Sequence, residues 1–225
     1  VVLYEDSGLS RSQQIFTDLN KHAVKTSNSI AELYDSRDDI AVITRSVVSK
    51  VSFLNEYTDK EKDNLGKYSS NLFTLNTFYS SIKRTIKGNT PSDSTLSFLC
   101  KYWNCVASNI IQWNELNKKE ISKVDLRENY IVTQGVVIQA IGQVGSYFIN
   151  NAEINMYEIL KGLRNIDWRR SASIWKNRVI RADGKILTSN KAILLASNQI
   201  KKELGIPLLP DEELKEKRYL ESLTI

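Results

Sequence analysis

The sequence predicts a mainly α-helical protein, a bundle-like domain with an N-terminal strand remnant and a small β-hairpin near residues 179–187. Three observations lead to this fold class. Only nine Gly and three Pro occur in 225 residues, which argues against a turn-rich all-β fold. Apolar residues recur at alternating steps of three and four along several stretches, as in amphipathic helices. Four Trp, ten Tyr and six Phe supply a core and argue against a disordered chain.

The beginning of the chain combines one strand signal with one helix signal. Val1 to Tyr4 is a short apolar, β-prone run, and we expect its partner strands upstream. Ser10 then opens a helix whose apolar residues share one face. The chain starts without an initiator Met, and its only Met is Met156. We therefore expect it to be part of a longer polypeptide.

Four helices are predicted in the following hundred residues, at 29–34, 38–54, 67–87 and 93–117. The clearest is 67–87, where apolar residues form a single stripe: Leu72, Leu75, Tyr79, Ile82 and Ile86. Ser92 or Asp93 is expected to cap the next helix. The charged stretch 59–63 is interpreted as a solvated connection.

Two further predicted helices complete a helical body, at 125–151 and 152–164. The first is assigned as a helix because it is longer than a typical strand. The β-branched residues of 130–138 keep a strand as an alternative for that stretch. Gly142 and Gly145 lie inside this apolar pattern. We interpret them as points of close helix packing rather than as a phosphate-binding loop.

The pattern changes at Arg164 to short elements. A short helix is predicted through Trp175, and Asp183-Gly184 favours a type I′ hairpin turn. Ser189 or Asn190 is expected to cap a helix that ends near Leu204. The predicted organisation is a helical body, 1–163, and a basic helix-hairpin-helix segment, 164–225, packed on the same domain.

The net charge of +5 is unevenly distributed. Residues 164–202 hold ten basic and two acidic residues, a net charge of +8, whereas 203–225 have a net charge of −3. The charges before Arg164 cancel. Basic residues interleaved with Trp suit a nucleic acid, because cations neutralise phosphates and rings cover sugars or bases. The alternative is a solvated basic face whose Trp residues pack inward. The candidate DNA contacts are Arg164, Trp168, Arg169, Arg170, Lys176, Arg178, Arg181, Lys185 and Lys191.

The sequence contains no motif typical of nucleotide-binding loops, catalytic triads, metal sites or membrane spans. No P-loop string occurs, and the only histidine, His22, fits a helix-end cap better than a catalytic triad. Cys100 and Cys105 form neither a CxxC motif nor a zinc-ligand pair, so we interpret them as reduced thiols of a cytoplasmic protein. No apolar run is long enough to cross a membrane. We expect no metal site, no cofactor and no complete active site in these residues.

Two parts of the chain resemble one protein family. The first is Val2–Asp6 followed by Ser12–Lys25, and the second is Ile166–Arg170 with Trp175 and Gly184–Ile186. They resemble the DndB branch of the DGQHR-domain proteins, which belong to bacterial systems for DNA phosphorothioate (sulfur) modification. The Asp-Gly-Gln-His-Arg motif itself is absent from the chain.

The resemblance implies a DNA-binding transcriptional regulator of the sulfur-modification genes, with double-stranded operator DNA as its partner. It further implies a ParB-like α/β half, of which 1–25 would be the tail. Asp18, Asn20 and Lys21 are then candidates for completing the site that the missing motif forms, with helix surface and cap as an equal alternative. Other modification-system proteins and a second copy of the chain are possible partners.

Two rival hypotheses stay open at this point. In one, the chain is the substrate clamp of a nuclease or nucleotide hydrolase whose active site lies in the absent N-terminal half. In the other, the basic segment is an interaction module that docks an acidic partner within the modification complex.

Overall fold

A computed structural model describes residues 26–223, and this part of the chain is mainly α-helical, which confirms the predicted fold class. Within it the α-helices are α1 (Asn28–Tyr34), α2 (Asp39–Lys50), α3 (Ser52–Tyr57), α4 (Leu75–Ile86), α5 (Asp93–Asn109), α6 (Ile111–Asn117), α7 (Lys123–Asn129), α8 (Gly135–Ile149), α9 (Met156–Leu160), α10 (Asn190–Glu203) and α11 (Pro210–Glu221). Two 3-10 turns lie at Lys161–Asn165 and Ser173–Trp175. The predicted strand remnant and helix before residue 26 lie outside the described residues.

Several helices are preceded by an N-cap residue whose polar side chain accepts hydrogen bonds from N–H groups of the first turn. Ser92 and Ser189 do so for α5 and α10, where the sequence had left two capping candidates each. Asp38 caps α2 in the same way, and Thr74 caps α4. These side chains fix where each helix starts, because they satisfy donors that have no partner inside the helix.

Two predicted helices are each broken by one buried residue. Val51 separates α2 from α3, and Ile110 separates α5 from α6; both have extended backbone and fully buried side chains. The break costs few hydrogen bonds, since the Val51 N–H still donates to Val47 and the Asn55 N–H to Val51. The apolar spacing continues across each break, so the sequence predicted one helix where the chain forms two.

The stretch before α4 is not helical as predicted. A short parallel pair forms instead, in which β1 (Thr58–Asp59) lies beside β2 (Phe73–Thr74), with Thr58 opposite Phe73. Arg127 of α7 holds the loop between them by donating to the carbonyl groups of Lys67 and Ser69, each at 2.8 Å. The predicted helix at 125–151 is likewise interrupted, because Tyr130 ends α7 and pairs with Arg169 in an isolated bridge.

Helix α8 lies at the centre of the molecule, packed against α4 on one side and α10 on the other. A side chain at Gly142 would overlap the hydroxyl and carbonyl oxygens of Ser81 in α4. Ser81 donates to the Ile138 carbonyl at 2.8 Å, and Thr85 donates to the Gly142 carbonyl at 2.8 Å. The prediction of close helix packing at Gly142 and Gly145 is therefore confirmed.

The segment after residue 164 contributes to the same hydrophobic core as the preceding helices. Trp168 and Trp175 stack with ring centroids 5.4 Å apart, and both rings are buried. Their indole N–H groups donate to the carbonyl groups of Leu163 and Asp167. Both Trp residues of the basic segment therefore pack inward.

The predicted hairpin is present, with a different turn from the one expected. Ile180 pairs with Ile186, and the Gly184 N–H donates to the Arg181 carbonyl at 2.8 Å. Gly184 has a φ of +79°, whereas Asp183 does not have a positive φ. Because a type I′ turn needs positive φ at both central residues, this is a three-residue loop that ends in a left-handed glycine.

No helix between residues 26 and 223 is long and apolar enough to span a bilayer.

Candidate nucleic-acid interface

Two of the nine predicted DNA contacts are buried. Trp168 is 1% exposed beneath Trp175, and Arg178 is 5% exposed between α10 and α11. A buried ring cannot stack on a base, and a guanidinium enclosed by protein cannot reach a phosphate. The prediction is corrected for these two residues, which belong to the core.

Arg178 is held by a charged network with α11. Its guanidinium donates to both carboxylate oxygens of Glu216, at 2.5 and 2.9 Å, and lies 4.3 Å from the centre of the Tyr219 ring. Lys202 donates to Glu216 at 2.7 Å. Burial by itself would raise the pKa of Glu216, but the hydrogen bonds from Arg178 and Lys202 outweigh it and lower that pKa to about 2.

A second buried pair joins the same two helices. The Lys201 ammonium donates to both oxygens of Glu212 at 2.7 Å, and Lys201 is 3% exposed. Glu212 also accepts from the Leu209 N–H at the start of α11. Glu216 and Glu212 therefore neutralise the buried cations Arg178 and Lys201, and exposed Lys202 also pairs with Glu216. Fewer unpaired cations remain at the surface than the sequence indicated.

Four of the predicted residues gather around the hairpin, and we call them the hairpin cluster. Arg170 donates to the Gly184 carbonyl at 3.1 Å and is half-buried. Arg169 pairs with Asp167 at 2.7 Å, and Arg181 pairs with Asp183. These pairs are exposed, and such pairs contribute little to stability. The cluster consists of Arg169, Arg170, Arg181 and Lys185.

Lys191 lies elsewhere, in a cavity of about 480 Å³ between α4, α8, α10 and α11. Four basic side chains line this cavity, and the described residues contribute no acidic one. We call it the basic groove, formed by Arg84, Lys191, Lys215 and Arg218. Arg84 is fixed there, because it donates to Gln139 at 3.1 Å and to Asn190 at 2.6 Å.

Sequence reasoning missed three residues of the basic groove. Arg84, Lys215 and Arg218 lie outside the 39-residue segment that carries the excess charge. They meet Lys191 only because α4 and α10 both pack against α8 and α11 packs against α10. No local pattern in the sequence signals this juxtaposition.

The basic groove and the hairpin cluster are neighbours. The Tyr219 hydroxyl donates to the Lys176 carbonyl at 3.0 Å, and the Tyr219 ring lines the groove. Only two residues separate Leu187, at the end of the hairpin, from Asn190 in the groove, a span of roughly 10 Å at most. Exposed Lys176 therefore lies beside both sets of cations.

The remaining predicted residues fall outside this surface. Arg164 lines a different cavity, with residues of α2, α5 and α9. Asp18, Asn20 and Lys21 lie outside the described residues, so their suggested role stays a prediction. Between residues 26 and 223, no group of three or more His, Cys, Asp or Glu residues could hold a metal ion.

Comparison with protein families gives one match. The model of the DndB family, described as DNA-sulfur modification-associated, matches residues 1–207. The chain belongs to the DndB family. Searches of curated proteins and of solved structures each found no match.

The match covers most of the chain and confirms the family predicted from two short stretches. It ends in the loop after α10, so α11 lies beyond the matched residues. In this DndB chain α11 nevertheless supplies Lys215 and Arg218 to the basic groove and Glu212 and Glu216 to the buried ion pairs.

Proposed function

We propose that this DndB chain is a DNA-binding regulator of a sulfur-modification system, acting in the cytoplasm on DNA upstream of the modification genes. The observation that carries this proposal is the basic groove, which four cations line and to which the described residues add no acidic side chain. Membership of a family associated with DNA sulfur modification supports DNA as the polyanion.

The groove suits phosphate groups in three ways. Arg84 is already oriented by Gln139 and Asn190, so less conformational freedom is lost on binding. Lys191 and Arg218 have no carboxylate within 4 Å among the described residues. The first residues of α10, Asn190 and Lys191, line the groove, so the positive end of that helix adds to the field.

The hairpin cluster extends the same surface. Arg181 and Lys185 flank an exposed turn, and Arg170 joins the hairpin to the rest of the cluster through the Gly184 carbonyl. We infer that the hairpin lies along the DNA backbone beside the groove. A phosphate can replace Asp183 as the partner of Arg181, because an exposed ion pair costs little to exchange.

Binding and repression provide the test, with Lys191→Glu as the groove variant and Lys118→Glu as its matched control. Lys118 is an exposed lysine after α6 that lines neither the groove nor the hairpin. We expect Lys191→Glu to weaken binding to DNA upstream of the modification genes by at least tenfold, measured by fluorescence anisotropy, and to relieve repression of a reporter driven by that DNA. Lys118→Glu should change neither.

Equal binding by wild type and Lys191→Glu would refute the groove as the DNA site. If Lys191→Glu weakens DNA binding without any change in reporter output, the regulatory role is refuted, whereas the groove remains supported as the DNA site. Retention of a modification-system protein by the wild-type chain after nuclease treatment, with no binding to DNA, would favour the interaction module.

A further inference from the structure

A second basic cavity lies on a part of the molecule that the DNA proposal does not use. It has a volume of about 750 Å³ and is bounded by the end of α2, one face of α5, and α9 with the 3-10 turn that follows it. This volume is in the range of small-molecule sites. Its lining contains four cations, Lys50, Lys101, Lys161 and Arg164, against one acidic residue, Asp93, among the residues that the structure describes.

Arg164 is held in place at the side of this cavity. Its Nε donates to the side-chain oxygen Oδ1 of Asn109 at 2.7 Å. Asn109 is 5% exposed, and its amide donates to the Cys105 carbonyl at 2.8 Å. No carboxylate of the described residues lies within 4 Å of Arg164. Its two terminal nitrogens are therefore available for a bidentate contact with an anion.

The positive charge is spread along the cavity wall. Burial raises the pKa of the Cys100 thiol, and Lys50 opposes that rise. Burial also raises the pKa of the Cys105 thiol, opposed by the Asn109 hydrogen bond and by Arg164. Lys50 is the last residue of α2 and Arg164 lies in the 3-10 turn after α9, so these two cations line the cavity from different elements. An anion with more than one phosphate can contact cations on several of these elements.

The floor and rim of the cavity are suited to an apolar ring. Leu96, Cys100 and Cys105 form part of the floor, and the two thiols are free. Tyr157 at the beginning of α9 lines the cavity and is 50% exposed, so part of its side chain is open to contact with a ring. Asn104 adds an exposed polar group on the α5 side.

We propose that this cavity binds a free nucleotide that carries two or more phosphates. The phosphates contact Arg164, Lys101 and Lys50, and the base packs against Tyr157 and the apolar floor. This inference does not depend on DNA binding, because none of these residues lines the basic groove.

Titration of the chain with a fluorescent ADP that carries an N-methylanthraniloyl group tests the proposal. We expect saturable binding, weakened at least tenfold in Arg164→Gln and in Lys101→Gln and unchanged in Lys118→Gln. Thermal unfolding of each variant verifies folding, and protection of Cys100 from iodoacetamide by ADP reports occupancy in the wild-type chain. Absence of binding, or equal binding by wild type and Arg164→Gln, would overturn the proposal.

Competition identifies the ligand class. Unlabelled ADP should displace the probe more effectively than pyrophosphate, and pyrophosphate more effectively than adenosine. Equal displacement by ADP and pyrophosphate would show that the base contributes no affinity. The proposal that the ligand is a nucleotide would then be wrong.

DNA binding by the same variants separates this proposal from the previous one. Arg164→Gln should bind DNA as wild type does, and Lys191→Glu should bind the nucleotide as wild type does. If Arg164→Gln weakens DNA binding as strongly as Lys191→Glu, the cavity belongs to the DNA surface and the nucleotide proposal is wrong. If Arg164→Gln weakens nucleotide binding while Lys191→Glu leaves DNA binding unchanged, the nucleotide proposal is supported and the DNA proposal fails.

Discussion

Arg178 illustrates how a single residue changes the interpretation of a charge pattern. In the sequence it is one of ten basic residues in a run that suggests a surface. In the fold it is 5% exposed and paired with Glu216, which lies 38 positions further along the chain. Long-range pairing of this kind cannot be seen in composition, because it depends on α11 packing against α10.

The first prediction concerns the partner of Arg178. Glu216→Gln leaves a buried guanidinium without its counter-ion, and we expect it to lower the free energy of unfolding by about 3–5 kcal/mol. Urea denaturation at neutral pH measures this change. The matched control is Glu213→Gln, an exposed acid in the first turn of the same helix, which should cost under about 1 kcal/mol. Equal stability of the two variants would contradict the buried network.

The second prediction concerns acid stability. The pKa of Glu216 is lowered from an ordinary 4.5 to about 2 in the folded chain. Its contribution to stability is therefore fully present above about pH 4.5 and is lost as the pH falls towards 2. We expect the wild-type free energy of unfolding to fall between pH 6 and pH 3 more steeply than that of Glu216→Gln. Parallel curves for the two proteins would contradict the shift.

The third prediction concerns a carboxyl group with the opposite shift. Burial, together with the charges of Asp63 and Asp38, raises the pKa of Glu32 from 4.5 to about 7. Its folded form then holds a proton that the unfolded chain releases, so stability falls as the pH rises from 4.5 through 7. Glu32→Gln should match wild type near pH 4 and exceed it near pH 8 in urea denaturation. A variant less stable than wild type at pH 8 would refute this.

At the scale of helices and strands, the sequence predicts the periodic helices but not the residues at which a helix is interrupted. The apolar periodicity predicted most of the helical segments, and two glycines predicted a close helix crossing. The ends at Val51 and Ile110 were not predictable, since a buried apolar residue fits the helical spacing on either side of a break. The pair of β1 and β2 was missed because each strand has only two residues, too few to show a period.

The fourth prediction tests the crossing of α4 and α8. In Gly142→Ala the added methyl group would overlap the hydroxyl and carbonyl oxygens of Ser81, so the helices must move apart. We expect a loss of roughly 1–3 kcal/mol in the free energy of unfolding. Gly135→Ala in the same helix is the control, because its methyl group would lie 3.6 Å from the nearest Thr77 atom. Similar melting temperatures for both variants would contradict close packing at Gly142.

Over the whole molecule, the fold divides the predicted DNA contacts between the surface and the interior. The excess of positive charge after Arg164 located the hairpin cluster and Lys191. The charge pattern could not show that Trp168 and Arg178 are buried. Nor could it show that Arg84 lies in the groove, because Arg84 precedes its groove partner Asn190 by 106 positions in the chain. The basic groove is a product of tertiary structure, formed where helices distant in sequence converge.

The salt dependence of DNA binding tests the central claim most directly. Each phosphate contact contributes about 0.9 to the slope of log K against log salt concentration. Lys191→Gln/Arg218→Gln should therefore lower the magnitude of that slope by about 1.8 relative to wild type, whereas Lys118→Gln should leave it unchanged. A double variant with the wild-type slope would show that the basic groove does not contact DNA.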